Sequence, residues 1–449
     1  MFRKTWIQIR SSLWFVPTFL VIAGAAAAGV LVELDIRFAE AIGRQRWQPL
    51  LNAGAEGARG MLTAIASSMI TVAGVAFSIT IVTLSLASTQ YTPRILRNFM
   101  RDRGNQFVLG TFVAIFTYCL IVLRTVRGGS EEDGGGFVPL VAVAFGMLLA
   151  LLSIGCLIFF IHHVAASIQA STILKAIADE TAAAIDDLHP EQLGDFEERR
   201  AAAASAPPAT DWRNILATRS GYLQHGDADG LLSFAKKHDA CVRLECAPGD
   251  FITAGLPLVA LNREVDDDAA AALRRLFVIG AFRTIDQDAG FGIRQIVDIA
   301  MKALSPGVND TSTAVSCIDY LGVLLARLAP RRLQAPLCAD ASEQRIVAEA
   351  PTFDHLVAKS FDEIRLSADG NVTIVLQMLC ALRRVGSVTK SRSRQQTLAE
   401  HARIIVEAAD RSIPAAYDRA RINGELESVR KVFEATEQDL PALSSMRRS

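Results

Sequence analysis

GMLTAIASSMITVAGVAFSITIVTLSLASTQYTP, residues 60–93, decides the fold of this chain. No charged side chain lies between Arg59 and Arg94, and the run exceeds the ~20 apolar residues a helix needs to cross a bilayer. Ser67, Thr71, Gly74, Ser78, Ser85 and Ser88 recur at alternating steps of four and three, interrupted at Ile81. On a helix such positions share a face. The pattern predicts a membrane helix with one hydroxyl-bearing side.

The surrounding composition agrees. Of 449 residues, 51% are hydrophobic and 21% charged, with a mean hydropathy of +0.29. That value is high for a soluble protein, and the apolar residues concentrate in the first third. A net charge of -1 gives no pointer to nucleic acid. The cysteines (Cys119, Cys156, Cys241, Cys246, Cys317, Cys338 and Cys380) form no CxxC pair, which fits free thiols in a reducing compartment.

Four spans are predicted, near residues 12–32, 61–90, 107–123 and 137–161, within a unit covering residues 1–165. The first follows a basic leader (Arg3, Lys4, Arg10) and reads as a retained signal anchor, with Ala25 and Gly29 permitting close helix contact. Residues 33–59 read as a mixed-charge loop with Trp47 at the interface. Arg94, Arg97, Arg101 and Arg103 outnumber the basic residues of the next loop, where Arg124 and Arg127 face Glu131, Glu132 and Asp133. This bias predicts cytoplasmic termini, although the loop before the second span carries arginines too. Thr92 and Pro93 make a good helix start. The helix they begin would lie at the headgroups with its arginines as a basic collar; ordinary positive-inside flanking accounts for them equally.

The hydroxyl stripe has two readings. It lines a water-filled path built from several copies, or it back-bonds and packs helices. The second span holds no carboxylate, lysine or histidine, so it is not a proton relay. His162 and His163 end the fourth span and point to different faces, an interfacial pair rather than a metal site.

Residues 166–211 read as a helical extension and linker. A small β-containing module follows over 212–262, with Asp227 or Asp229 capping a helix that ends near His238. Val242, Leu244 and Cys246 then alternate with Arg243 and Glu245 as a strand does. GDFITAGLPL (249–258) looks like the hairpin of a biotinyl- or lipoyl-type barrel, but no lysine lies between Lys237 and Lys302 to be modified. His238-Asp239 lacks the further ligands of a metal phosphohydrolase.

Residues 263–440 read as a helical domain and 441–449 as a loose tail. The densest polar constellation spans 283–321. There Arg283 with Asp286, Asp288 or Asp298 suits an ion-pair network. Ser305-Pro306-Gly307 stops one helix, and Asn309 or Asp310 caps the next. The alternative is a small anion or nucleotide at the amides near Gly307 to Thr311. KSRSR (390–394) reads as a solvated basic turn, and the last helix, with Tyr417, Ile422, Leu426, Val429 and Phe433 on its apolar side, as broken at Asn423-Gly424. No Walker loop, GxSxG or HExxH occurs, so no enzyme, cofactor or metal is expected.

SLWFVP (12–17), STQYTPRILRNFMRDRGNQFVLGTF (88–112), GYLQ (221–224), GDFITAGLPL and ALSPGVNDTSTA (303–314) together resemble a bacterial family of predicted inner-membrane proteins known as a domain of unknown function, DUF2254. The family more often has proline where Thr311 stands. The resemblance implies a multi-pass inner-membrane protein with a cytoplasmic domain and carries no established activity. The expected architecture is a four-span α-helical membrane region followed by a mixed α+β, mostly helical cytoplasmic domain. The expected function is an oligomeric ion channel, lined by the second span and regulated by the cytoplasmic domain. The alternative is a membrane-anchored sensor or scaffold that binds a ligand or protein without transport. Expected partners are the bilayer, further copies of the chain and a small ion or anionic ligand.

Overall fold

The computed structural model describes residues 14–41, 54–90, 102–128, 137–167, 169–190, 212–333, 346–349, 351–434, 436 and 438–443. The chain divides into two compact units, Met1–Thr172 and Ile173–Ser449.

The first unit holds four helices, α1 (Phe15–Ala41), α2 (Ala55–Gln90), α3 (Arg103–Thr125) and α4 (Leu140–Ser167). Each is long and apolar enough to cross a membrane. The α1 helix runs through Glu33, Asp35 and Arg37, which the charge pattern assigns to a loop. Two contacts explain the difference. Arg37 Nε donates to Glu33 Oε1 one turn back at 3.0 Å. Asp35, 8% exposed, accepts the backbone N–H groups of Val141 at 3.0 Å and Ala142 at 2.9 Å. It thus caps α4 across the bundle, where a helix start favours negative charge.

The α1–α3 contact is close because small residues face it. A Cβ on Gly24 would lie 2.9 Å from Ala114 O, and one on Gly110 would lie 2.8 Å from Pro17 Cα. The predicted contact residue Gly29 instead faces open space; Ala28, fully buried, takes that place. The α2 helix runs antiparallel to α3. Arg59 Nη2 donates to Val126 O at 2.9 Å at one end, and Thr80 Oγ1 lies 3.2 Å from Asn105 Oδ1 at the other. At the core, Tyr118 donates its hydroxyl to Ala142 O at 2.7 Å.

The second unit contains all but the first three residues of α5 (Ala170–Leu188), then a region of small sheets: β1 (Arg213–Leu216), β2 (Gly221–Gly226), α6 (Ala228–Lys237), β3 (Val242–Leu244), β4 (Phe251–Ile252), β5 (Pro257–Leu261), α7 (Asp267–Arg274) and β6 (Phe277–Gly280). Asp227 supplies the α6 cap, accepting from Gly230 N at 3.0 Å. One sheet has the order β1-β5-β3-β7, where β7 is Ile346–Val347, and the other β4-β2-β6. GDFITAGLPL is therefore not a hairpin. Its two strands, β4 and β5, belong to different sheets: β4 pairs with β2, and β5 lies between β1 and β3. Strand β6 reaches back to β2, so the sheets extend past residue 262.

The rest is helical: α8 (Ala289–Ala303), α9 (Thr311–Leu328), α10 (Phe353–Ser367), α11 (Val372–Val388), α12 (Arg392–Ser412) and α13 (Ala416–Phe433). The α11 helix is central and packs against α9, α12 and α13. Helix α13 is continuous through Asn423. The Asn423 side chain leaves the helix backbone alone and holds Leu443, donating to its carbonyl at 3.0 Å and accepting from its N–H at 2.8 Å. Leu440 and Leu443 are buried, so the chain is held at least that far. Tyr417, read as apolar-side, is exposed.

KSRSR is a helix start rather than a solvated turn. Arg394, 7% exposed, donates Nη1 to Leu328 O at 3.0 Å and Ala329 O at 2.7 Å, and lies 5.0 Å over the Phe353 ring. The unpaired carbonyls that end α9 take up its charge.

Candidate functional site

The two faces of α2 differ in chemistry. Ala58, Leu62, Ala66, Met69, Ala73 and Ala76 are buried against the bundle. Ser67, Thr71, Gly74, Ser78, Ile81 and Ser85 lie on the other side, all exposed within this chain. The stripe therefore does not pack against the other helices of its own bundle. A Cβ on Gly74 would meet nothing within 4 Å. Exposed apolar side chains flank the stripe, Ile70 and Phe77 along one edge and Val75 and Val82 along the other. Thr71 donates Oγ1 to Ser67 O at 2.8 Å, which satisfies its proton within the helix. Ser88 lies in α2, but its side chain is outside the described residues, as are Arg94, Arg97 and Arg101 of the collar and the Thr92-Pro93 start. Arg103 is the first residue of α3.

Near the Arg103 end, Asp102 caps α3 by accepting from Gly104 N at 2.9 Å, and its other oxygen lies 2.5 Å from His163 Nε2. The pair needs Gly104, because a Cβ there would sit 2.8 Å from that nitrogen. His163 stacks on Phe159, whereas His162 is exposed. The two histidines thus take different roles. His163 ties the start of α3 to the end of α4.

In the second unit the expected polar residues separate along α8. At its start, Asp288 accepts from Phe291 N at 3.0 Å and from Arg283 at 2.6 and 3.1 Å, while the guanidinium lies 5.0 Å from the Phe291 ring. Gly249, at φ +96°, passes so close that any Cβ would overlap Asp288 Oδ2. Only glycine meets both demands there. Burial pushes the Asp288 carboxyl up against the pull of Arg283, and burial pushes the neighbouring Lys359 ammonium down. The knot therefore works as a buried, structure-holding network, costly to leave half-paired. Asp298 pairs with Arg294 at 2.7 Å, and Arg294 also reaches Glu363. Asp286 is exposed.

Ser305, Gly307, Asn309 and Asp310 lie beyond the other end of α8. A helix of this length separates them from Asp288 by about 20 Å. Ser305 donates its hydroxyl to Lys302 O at 2.7 Å, and Asn309 turns the chain at φ +50°. Asp310 then caps α9, accepting from Thr313 N at 3.0 Å and the Thr313 hydroxyl at 2.5 Å. These bonds, the hydroxyl's first, hold its carboxyl below the usual range. The amides at this helix start thus already face a carboxylate of their own chain. Among the described residues no three His, Cys, Asp or Glu side chains gather as a metal site would require.

The sequence reading missed Asp35 and the buried arginines Arg394, Arg419 and Arg430. Arg419, 2% exposed, donates to Ile413 O at 2.6 Å and pairs with Asp410. Arg430 donates to Leu440 O at 2.5 and 2.8 Å. The helical period held a signal for Arg419 and Arg430, which sit on the buried side of α13 with Ile422, Leu426 and Val429.

The family described as "Predicted membrane protein (DUF2254)" matches residues 10–384. An uncharacterized protein of Mycobacterium tuberculosis is 34% identical over 435 residues, covering 95% of this chain and 81% of its own. An uncharacterized protein of Mycobacterium bovis has the same identity and coverage. No solved structure matches the chain.

Proposed function

The chain belongs to the DUF2254 family of predicted membrane proteins, and we propose that copies of it assemble around α2 into an ion conduction pathway. The carrying observation is the outward hydroxyl stripe, Ser67 to Ser85, flanked by exposed Ile70, Phe77, Val75 and Val82. In an assembly the apolar flanks pack copy to copy, and the stripe between them faces an axis that water can enter. The arginine collar that follows α2 concentrates anions at one mouth. The pathway sits in the inner membrane. Four spans bring both ends of the first unit to one side, and the arginine bias makes that side the cytoplasm, where the C-terminal unit regulates opening.

The test is a flux assay in proteoliposomes together with the oligomeric state in nanodiscs. Ser78→Leu and Ser85→Leu keep the monomer fold, since both sites are exposed, and they block flux. A monomeric particle, or undiminished flux in both variants, sinks the proposal; in a monomer the stripe faces lipid, its hydroxyls bonding back to their own helix as Thr71 does to Ser67 O.

A further inference from the structure

The second unit contains a cleft of about 600 Å³ between the last turn of α10, the start of α11 and the last turn of α12. That volume lies within the range of small-molecule sites. Its floor is apolar, with Val375, Met378 and Ile405, and its rim holds two guanidiniums, Arg365 and Arg411, against one carboxylate, Asp369.

Arg365 is the unusual member. Its Nε is buried and makes no hydrogen bond, and its nearest carboxylate contact, Asp362, is 3.9 Å from Nη2, beyond hydrogen-bond range. Elsewhere in this unit the inward arginines find carbonyls or carboxylates: Arg394 at the end of α9, Arg419 on Ile413 and Arg430 on Leu440. Buried donors in folded proteins are almost always paired. Nε itself is closed to the cleft, so a bound group would meet the terminal nitrogens of the guanidinium. Two guanidiniums beside an apolar floor fit an anion with an apolar body.

We propose that this cleft binds a small, water-soluble organic anion, its head group on Arg365 and Arg411 and its apolar body against Val375, Met378 and Ile405. Helix ends offer a competing use for the charges, since both arginines fall in last turns, where cations complement the dipole. That use needs no orientation into a cleft and predicts no binding. The cleft is lined by residues of the second unit alone, and the proposal does not depend on the α2 pathway.

The experiment is calorimetric titration of the full chain in lipid nanodiscs with hexanoate, hexylamine and inorganic phosphate, after subtraction of empty nanodiscs. Hexanoate binds once per chain, hexylamine does not bind, and phosphate binds more weakly for want of an apolar body. Arg365→Met weakens hexanoate about tenfold or more, as loss of a charge-assisted hydrogen bond should. Ala408→Phe fills the cleft and abolishes binding. Both variants must keep the wild-type melting temperature. If Arg365→Met unfolds, Arg411→Met, at the exposed rim, carries the same prediction. No hexanoate heat, equal binding of hexylamine, phosphate as tight as hexanoate, or binding unchanged in the folded variants overturns the proposal.

Discussion

Gly292→Ala tests how tightly α5 is seated on the rest of the second unit. A Cβ at Gly292 would overlap the Thr181 Oγ1 and sit 2.8 Å from both its Cβ and Cγ2. Thr181 is fully buried and is held by its hydroxyl bond to Ile177 O at 2.6 Å, so it has nowhere to turn. Alanine in a helix interior gains about 1 kcal/mol over glycine in intrinsic propensity. Overpacking a filled core costs ~1–3 kcal/mol, and an overlap this deep belongs at or above the upper end. The net expectation is a loss of about 2 kcal/mol or more. Thr181→Ala removes two of the three close atoms, so the double variant is less damaged than the two single losses added together, by at least ~0.5 kcal/mol. The assay is urea unfolding of the full chain in nanodiscs, read by pulse proteolysis of the second unit. If Gly292→Ala is neutral or stabilising, or if the two changes simply add, α5 does not pack on α8 as described.

Three further outcomes follow from the same contacts. Arg394→Met should cost about 3 kcal/mol, because it strips two carbonyls at the α9 end of a charged donor; an unchanged urea midpoint would return Arg394 to the solvated turn its sequence resembles. The His189 imidazole is pushed down to about 4 by burial, with Arg331 and Arg394 adding repulsion. The unfolded chain therefore takes up the proton first, and stability present above pH ~6.5 falls by up to about 3 kcal/mol as the pH drops to ~4. His189→Gln should flatten that slope, and an equally steep profile in the variant would assign it to other groups. Asp35→Asn leaves the α4 start with a single uncharged acceptor and should destabilise the first unit by ~1–2 kcal/mol. Glu33→Gln, in an exposed pair, should shift it by less than about 0.5 kcal/mol; equal effects would deny Asp35 its capping role.

The helices of the first unit were legible because length and hydropathy alone demand them, and periodicity alone located the polar side of α2. Caps were legible too, since they act within one turn: of the pairs Asp227 or Asp229 and Asn309 or Asp310, Asp227 and Asp310 serve. What stayed hidden depends on residues far apart in sequence. Nothing near Arg394 announces that the α9 carbonyls await it, because those partners lie more than sixty residues away. Likewise Asp35 sits among charges and reads as loop until the α4 start, more than a hundred residues on, comes within reach. The GDFITAGLPL turn has hairpin chemistry, but β4 and β5 choose other partners, and strand pairing is not written in the turn. The polar constellation at 283–321 was a cluster in sequence that one straight helix pulls apart in space.

The lengths of α2 and α3 carry one more consequence. The apolar part of α2 has 32 residues and α3 has 23, about 48 Å against 34 Å at the α-helical rise. A hydrocarbon layer of roughly 30 Å accommodates the shorter helix upright and leaves the longer one in excess. The Arg59 and Thr80 contacts fasten α2 to α3 at two points, so its surplus collects in the segment after Thr80, together with Ser85 of the stripe. Bilayer thickness thus sets how much of that segment lies among acyl chains and how much among headgroups. Reconstitution into lipids of stepwise longer chains would move that boundary along α2 with no change in sequence.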